Sequence, residues 1–237
     1  MINLLLTKIL GSKNWHIDDH PQLFRGIVED PHVLATWEEV EHCINFPQFY
    51  DIKFIHRDTL EYIQIPKHQR CWAHDSQDVR DLMQAWVDGH NIIINNFDSG
   101  FKKKQEILKQ FEEYFDARMA LHVYAGYTGC SSFRVHEDTA SNFIIQIEGS
   151  THWTVYKNRC SNIIKPLDVV QEEFNEMIAE MEPAIDTMLT PGDMIYIPAR
   201  CYHQAKPTGK RLSVSIPMQH MLPHLKPFDR TYYELPH

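Results

Sequence analysis

Phe143-Ile144-Ile145-Gln146-Ile147-Glu148-Gly149 is the stretch that most restricts how this chain can fold. A short apolar run closed by glycine reads as a buried strand and its turn. Thr151-His152-Trp153-Thr154-Val155-Tyr156 follows at once and reads as the return strand of a hairpin, with Glu148-Gly149-Ser150 as its turn. Two more strands are expected over residues 194–198 and 212–217.

Candidate ligands lie on either side of these strands. His136-Glu137-Asp138 precedes the run, and His-x-Asp places two metal-binding side chains on one face of an extended segment, because strand side chains alternate with period two. Glu137, the odd residue, then points away. His203 ends the segment from Pro191 to His203, which reads as a turn, a strand and a bend. Two imidazoles and one carboxylate on one side of a metal form the facial triad of non-haem Fe(II) oxygenases, which leaves positions open for a co-substrate and dioxygen. His-x-Asp recurs at His16 and Asp18 and at His56 and Asp58, as chance allows with 15 His and 32 acidic residues. The first of these sits in a polar, turn-like stretch. The second is followed by no glycine–proline strand motif at a useful distance.

Gly192-x5-Pro198-x4-His203 resembles the second cupin motif, with Arg200 where that motif usually has glycine. His136-x-Asp138-x3-Asn142-x6-Gly149 resembles the first, with Asn142 at a position often held by glutamate. The wording from Asn142 to Tyr156 is similar to the JmjC-type, cupin-fold 2-oxoglutarate oxygenases, in particular their protein hydroxylases and ribosomal oxygenases. The resemblance covers roughly residues 120 to 218. It implies a mainly β fold with flanking helices around a double-stranded β-helix. It implies Fe(II) held by His136, Asp138 and His203, with 2-oxoglutarate as co-substrate. Decarboxylation to succinate would be coupled to hydroxylation of a C–H bond in a protein or peptide side chain. Asn142 would contact the co-substrate near the metal; the alternative is a strand-capping Asn. Tyr124 and Tyr127 are either pocket-lining or core residues.

One position departs from the pattern. Where the family usually places a Lys or Arg for the distal carboxylate of 2-oxoglutarate, this chain has Thr151. A buried carboxylate without a cation is costly. Arg211, Lys210, Arg134 and His152 are candidate substitutes, Arg211 first because it opens a strand just after His203; equally, Lys210 and Arg211 read as solvated turn residues after Gly209. A different pose of the co-substrate, or metal chemistry without it, also fits. Thr151 thus leaves open a metal-dependent cupin isomerase or dioxygenase acting on a small molecule. A non-catalytic cupin binding module is a third class.

Composition narrows the setting. With 237 residues, 43% hydrophobic and 11% aromatic, the chain can fill one large β-rich domain. Residues 1–118 read as a helical and edge-strand portion, 119–218 as a metal-binding barrel core, and 219–237 as a tail packed over the barrel or on a second subunit of a homodimer. Five scattered cysteines without a Cys-x2-Cys pair fit a reducing, cytoplasmic compartment. Residues 1–10 lack a basic n-region and a small-residue cleavage site, and read as a first strand or short helix rather than a signal peptide. No membrane-spanning run is visible. A net charge of -9 disfavours a nucleic-acid surface. His68-x2-Cys71-x2-His74 lacks a fourth ligand for zinc. Helices are expected over residues 36–43 with Thr36 as cap, 76–89 with Gly89 as stop, 102–117 and 169–181, and a strand over 91–95. Lys102-Lys103-Lys104 reads as the solvated end of its helix.

Overall fold

Strand alternation organises most of the chain into two main sheets with different tasks. The structure, a computed structural model, describes residues 20–68, 76–159 and 171–220. The expectations for residues 1–10, for His16 and Asp18, for Cys71, His74 and Cys160, and for the tail after His220 fall outside them.

In chain order the elements are β1 (Gln22–Phe24), α1 (Trp37–Asn45), β2 (Asp51–Ile55), β3 (Tyr62–Ile63), β4 (Lys67–His68), β5 (Ser76–Gln77) and α2 (Val79–Val87). Then come β6 (Asn91–Asn95), α3 (Lys102–Phe115), β7 (Ala117–Met119), β8 (His122–Gly126), β9 (Ser141–Glu148) and β10 (Thr151–Arg159). The last are α4 (Gln171–Ala179), β11 (Pro183–Leu189), β12 (Met194–Ile197), β13 (Cys201–Pro207) and β14 (Arg211–His220). A nine-stranded sheet runs β1-β12-β9-β14-β8-β6-β2-β3, with β7 also on β14. A three-stranded sheet runs β11-β10-β13, and β4 pairs with β5.

The expected hairpin does not form. β9 pairs with β12 and β14, whereas β10 pairs with β11 and β13. The turn at Gly149 carries the chain from one sheet to the other. β9 has buried residues at seven successive positions, Ser141 to Ile147, so it is covered on both faces and needs a partner on each edge. Gly149 has φ +70°, and a Cβ there would collide with the Lys210 carbonyl oxygen. Only glycine suits that combination.

Both faces of the large sheet pack into apolar clusters, and residue parity decides which. Phe143, Ile145 and Ile147 of β9, Met194 and Tyr196 of β12, and Val214 and Ile216 of β14 join a cluster with the helices. Val40 and Ile44 of α1, Leu82 and Trp86 of α2, and Ile107, Leu108 and Phe111 of α3 supply its other side. The opposite parity, Ile144, Ile195 and Ile197, packs with Trp153, Val155, Leu189 and Cys201 from the small sheet and its connection. That second cluster is the interior between the sheets, and it is the double-stranded β-helix expected from the motifs.

Helix signals are mostly local. Thr36 and Glu39 form a capping box on α1, with Thr36 Oγ1 accepting from the Glu39 amide at 3.2 Å and Glu39 Oε2 from the Thr36 amide at 3.0 Å. α2 starts later than expected: Asp78 caps it, and Ser76 belongs to β5. In α3 Ile107, Leu108, Phe111 and Phe115 form the buried stripe, and Tyr114 is 53% exposed. Lys104 is buried, not solvated; its ammonium donates to the Val33 carbonyl at 2.7 Å and pairs with Glu39 at 2.9 Å. α4 ends at Ala179, short of Met181, and Met177 on it is exposed.

Gly149→Ala adds a left-handed backbone penalty and an overpacked contact, so it should destabilise the protein by about 2–4 kcal/mol. Denaturant unfolding, compared with the wild type at equal m-value, measures this.

Candidate metal centre

His136, Asp138 and His203 are brought together, each offering a ligand atom, with all three atoms within 4.8 Å of one another. His203 lies inside β13, a strand the sequence reading took for a bend. His136 is outside any strand, in the connection between β8 and β9, but it forms an isolated antiparallel bridge with His203. The His203 amide donates to the His136 carbonyl at 2.8 Å, and the His136 amide donates back at 3.1 Å. Two backbone hydrogen bonds thus set the spacing of the two imidazoles, whose ring centres are 4.3 Å apart.

The tautomers follow from the partners. His136 Nδ1 lies 2.8 Å from the Arg134 carbonyl oxygen, and His203 Nδ1 lies 2.9 Å from that of Cys201. A carbonyl only accepts, so each Nδ1 carries the proton and each Nε2 keeps its lone pair. His203 Nε2 is 3.7 Å from Asp138 Oδ2. Asn142 Nδ2 donates to that oxygen at 2.8 Å, and Asn142 Oδ1 accepts from Ser215 Oγ at 2.9 Å. Asn142 therefore orients the carboxylate from behind; it is buried and is not on the cavity wall. Two imidazole lone pairs and an oriented carboxylate form a donor set that fits a divalent metal such as Fe(II).

The three residues open onto a cavity. Tyr124, Ser213, Ser215 and Arg211 line it from β8 and β14. Ile144, Trp153 and Ala205 give it an apolar wall, and Ser132 and Phe133 complete it. Of the sequence candidates, the cavity gathers the triad, Tyr124 and Arg211. Thr151 shares its β10 face with Trp153 but comes two residues before it, outside the wall; it is fully buried, and its hydroxyl has no hydrogen-bond partner.

Arg211 is the unusual group. It is 2% exposed, and its Nη2 donates to Ser132 Oγ at 2.5 Å, while its Nε is buried without a hydrogen-bond partner. Burial pushes its pKa down to about 10, so at neutral pH it remains a cation. Its Cζ lies 5.9 Å from the Tyr124 ring centre, a contact too weak to offset that burial. The Tyr124 hydroxyl is pushed up in turn, first by burial and then by the Asp138 charge, and stays a donor.

The other candidate cations are elsewhere. Lys210 lies over the Trp37 ring at 4.4 Å, and Tyr127 stacks on that ring, half-exposed. His152 pairs with Asp186 at 3.1 Å, and Arg134 is exposed. The His56 motif is a turn, with His56 Nδ1 accepting from the Asp58 and Thr59 amides. His68 is a surface residue 3.9 Å from Asp81. Sequence reading missed Ser132, Trp153, Ser213 and Ser215. The two serines were findable: they have the parity of Arg211, opposite to the apolar Leu212, Val214 and Ile216.

A family model for the JmjC domain matches residues 94–223, more than half of the chain. The chain belongs to that family. Ribosomal oxygenase 1 of Danio rerio is 30% identical over 113 residues, which is 47% of this chain and 20% of that protein. Ribosomal oxygenase 2 of Mus musculus is 31% identical over 111 residues, 46% of this chain and 23% of that protein. The bifunctional lysine-specific demethylase and histidyl-hydroxylase NO66 of Aedes aegypti is 23% identical over 141 residues, 58% of this chain and 21% of that protein. The chain thus spans only about a fifth of these relatives. Among solved structures, the Escherichia coli ribosomal oxygenase YcfD with cobalt and 2-oxoglutarate is similar in fold, with TM-score 0.60 and 17% identity, over 92% of this chain and 52% of that one.

Replacing Arg211 by Met removes, at similar volume, a buried charge that has no ion-pair partner among the described residues. The ligand-free variant should unfold within about 1 kcal/mol of the wild type or be more stable, whereas breaking a structural buried ion pair would cost about 3–5 kcal/mol. Urea unfolding separates the two.

Proposed function

We propose that this JmjC domain is an Fe(II)- and 2-oxoglutarate-dependent hydroxylase of a protein or peptide side chain. The observation that carries the reading is Arg211, a buried cation with donors to spare, on the wall of the cavity that holds the triad. A carboxylate arriving there would satisfy a charge that the protein leaves unbalanced. A dicarboxylate that also reaches the triad matches 2-oxoglutarate, the molecule in the related YcfD structure.

Each side chain then has a task. His136, Asp138 and His203 would hold the iron through Nε2, a carboxylate oxygen and Nε2. The Arg134 and Cys201 carbonyls fix the imidazole tautomers, and Asn142 fixes the carboxylate. Arg211 would take the distal carboxylate of 2-oxoglutarate, with the Tyr124 and Ser213 hydroxyls beside it. Ile144, Trp153 and Ala205 exclude water, which strengthens the Arg211 contact. The bound iron and co-substrate supply the oxidising chemistry: a substrate C–H, dioxygen and 2-oxoglutarate become C–OH, succinate and carbon dioxide.

A protein substrate is supported by the names of the relatives, which are ribosomal oxygenases and a histidyl-hydroxylase. Among the described residues no helix is long and apolar enough to cross a membrane, and Cys43, Cys130 and Cys201 are free thiols. The free thiols fit a reducing compartment such as the cytoplasm.

Succinate and carbon dioxide release should require Fe(II), 2-oxoglutarate and dioxygen together. His203→Ala and Asp138→Ala should each bring release down to the no-enzyme background. Wild-type rates in both variants would contradict the assignment.

A further inference from the structure

Arg200 stands where the second cupin motif usually has glycine, and it keeps the glycine's backbone, with φ +67°. A residue with a Cβ avoids that region unless something else holds it there. Two contacts do so. The Arg200 amide donates to the Asp138 carbonyl at 2.7 Å. Its guanidinium Nη1 lies 3.3 Å from Glu137 Oε2, and both side chains are only 6% exposed. The pair is charge-matched but not a well-directed hydrogen bond, since the geometry leaves Glu137 Oε2 without one.

Glu137 sits between two candidate ligands, and Arg200 sits three residues before the third. Three backbone hydrogen bonds tie the connection carrying His136 and Asp138 to β13 and the residue before it: two at the His136–His203 bridge and one from Arg200. Bridge bonds position the backbone but leave a short loop free to rock. A buried charge pair set between the ligands opposes that rocking, and separating it would strand two charges in a nearly dry site.

We propose that Glu137 and Arg200 are positioning residues that clamp the His136–Asp138 segment to β13 and preorganise the three metal ligands. Neither side chain is on the cavity wall, so the pair acts through the ligands and not on the metal. This inference rests on the metal assignment above.

The test is a Co(II) titration of the metal-free full chain, read by the visible absorption of the bound ion, on the wild type, Glu137→Gln, Arg200→Gly and the double variant. Arg200→Gly suits the left-handed backbone but leaves Glu137 buried without its partner, so the double variant, which removes both charges, is the control for folding. Each single variant is expected to weaken Co(II) binding by about tenfold, with a changed absorption band. The double variant should be no weaker than the weaker single one. Wild-type affinity and spectrum in Arg200→Gly, or losses that multiply in the double variant, would overturn the clamp. A loss of thermal stability with unchanged Co(II) affinity would also overturn it, since that is the mark of packing alone. A wild type that does not bind Co(II) would instead overturn the metal assignment.

Discussion

Period-two alternation along β8, β9, β12 and β14 is the constraint on which the site depends. The large sheet buries both faces, one under helices and one against the small sheet, and each strand divides its residues between them. On β14 the division is complete: Leu212, Val214 and Ile216 pack outward, while Arg211, Ser213 and Ser215 face the cavity. A slip of one residue would bury Arg211 among helices and put Leu212 beside the candidate metal ligands. The apolar half of each strand therefore fixes the chemical half. Gly149 and Gly192 mark the places where the chain enters and leaves the site strands, both with positive φ and both against backbone.

Charge sets the second constraint. The interior holds a cation on β14, Arg211, with no ion-pair partner among the described residues, while the half-exposed carboxylate of Asp138 is oriented by Asn142. A protein stabilised for its own sake would avoid the first arrangement, because burying an unpaired charge costs several kcal/mol. The arrangement is sensible where a ligand brings the missing charge.

The sequence made the core strands and the triad legible because both rest on short-range signals. Apolar runs with terminal glycines marked β9, β12 and β14, and the two spaced motifs marked His136, Asp138 and His203. Sheet membership was not legible. Gly149 looked like a hairpin turn, and only the double burial of β9, a tertiary property, shows why β10 leaves for the other sheet. Lys104 misled for a similar reason: three lysines in a row read as solvated, yet the third finds Glu39 and the Val33 carbonyl across the packed helices. Arg211 was one of four candidate cations by proximity in sequence, and strand parity alone separates it from Lys210. The role of Arg200 was hidden because a departure from a motif looks like noise until its backbone and its partner are seen together.

The parity of β14 places the buried cation Arg211 on the same cavity as His136, Asp138 and His203. A crystal structure of the protein with Mn(II) and N-oxalylglycine, an inert analogue of 2-oxoglutarate, tests it directly. The metal is predicted on His136, Asp138 and His203, with the distal carboxylate of the analogue on Arg211. A metal held by other residues, or a distal carboxylate bound by Lys210 or His152 with Arg211 left unliganded, would contradict it.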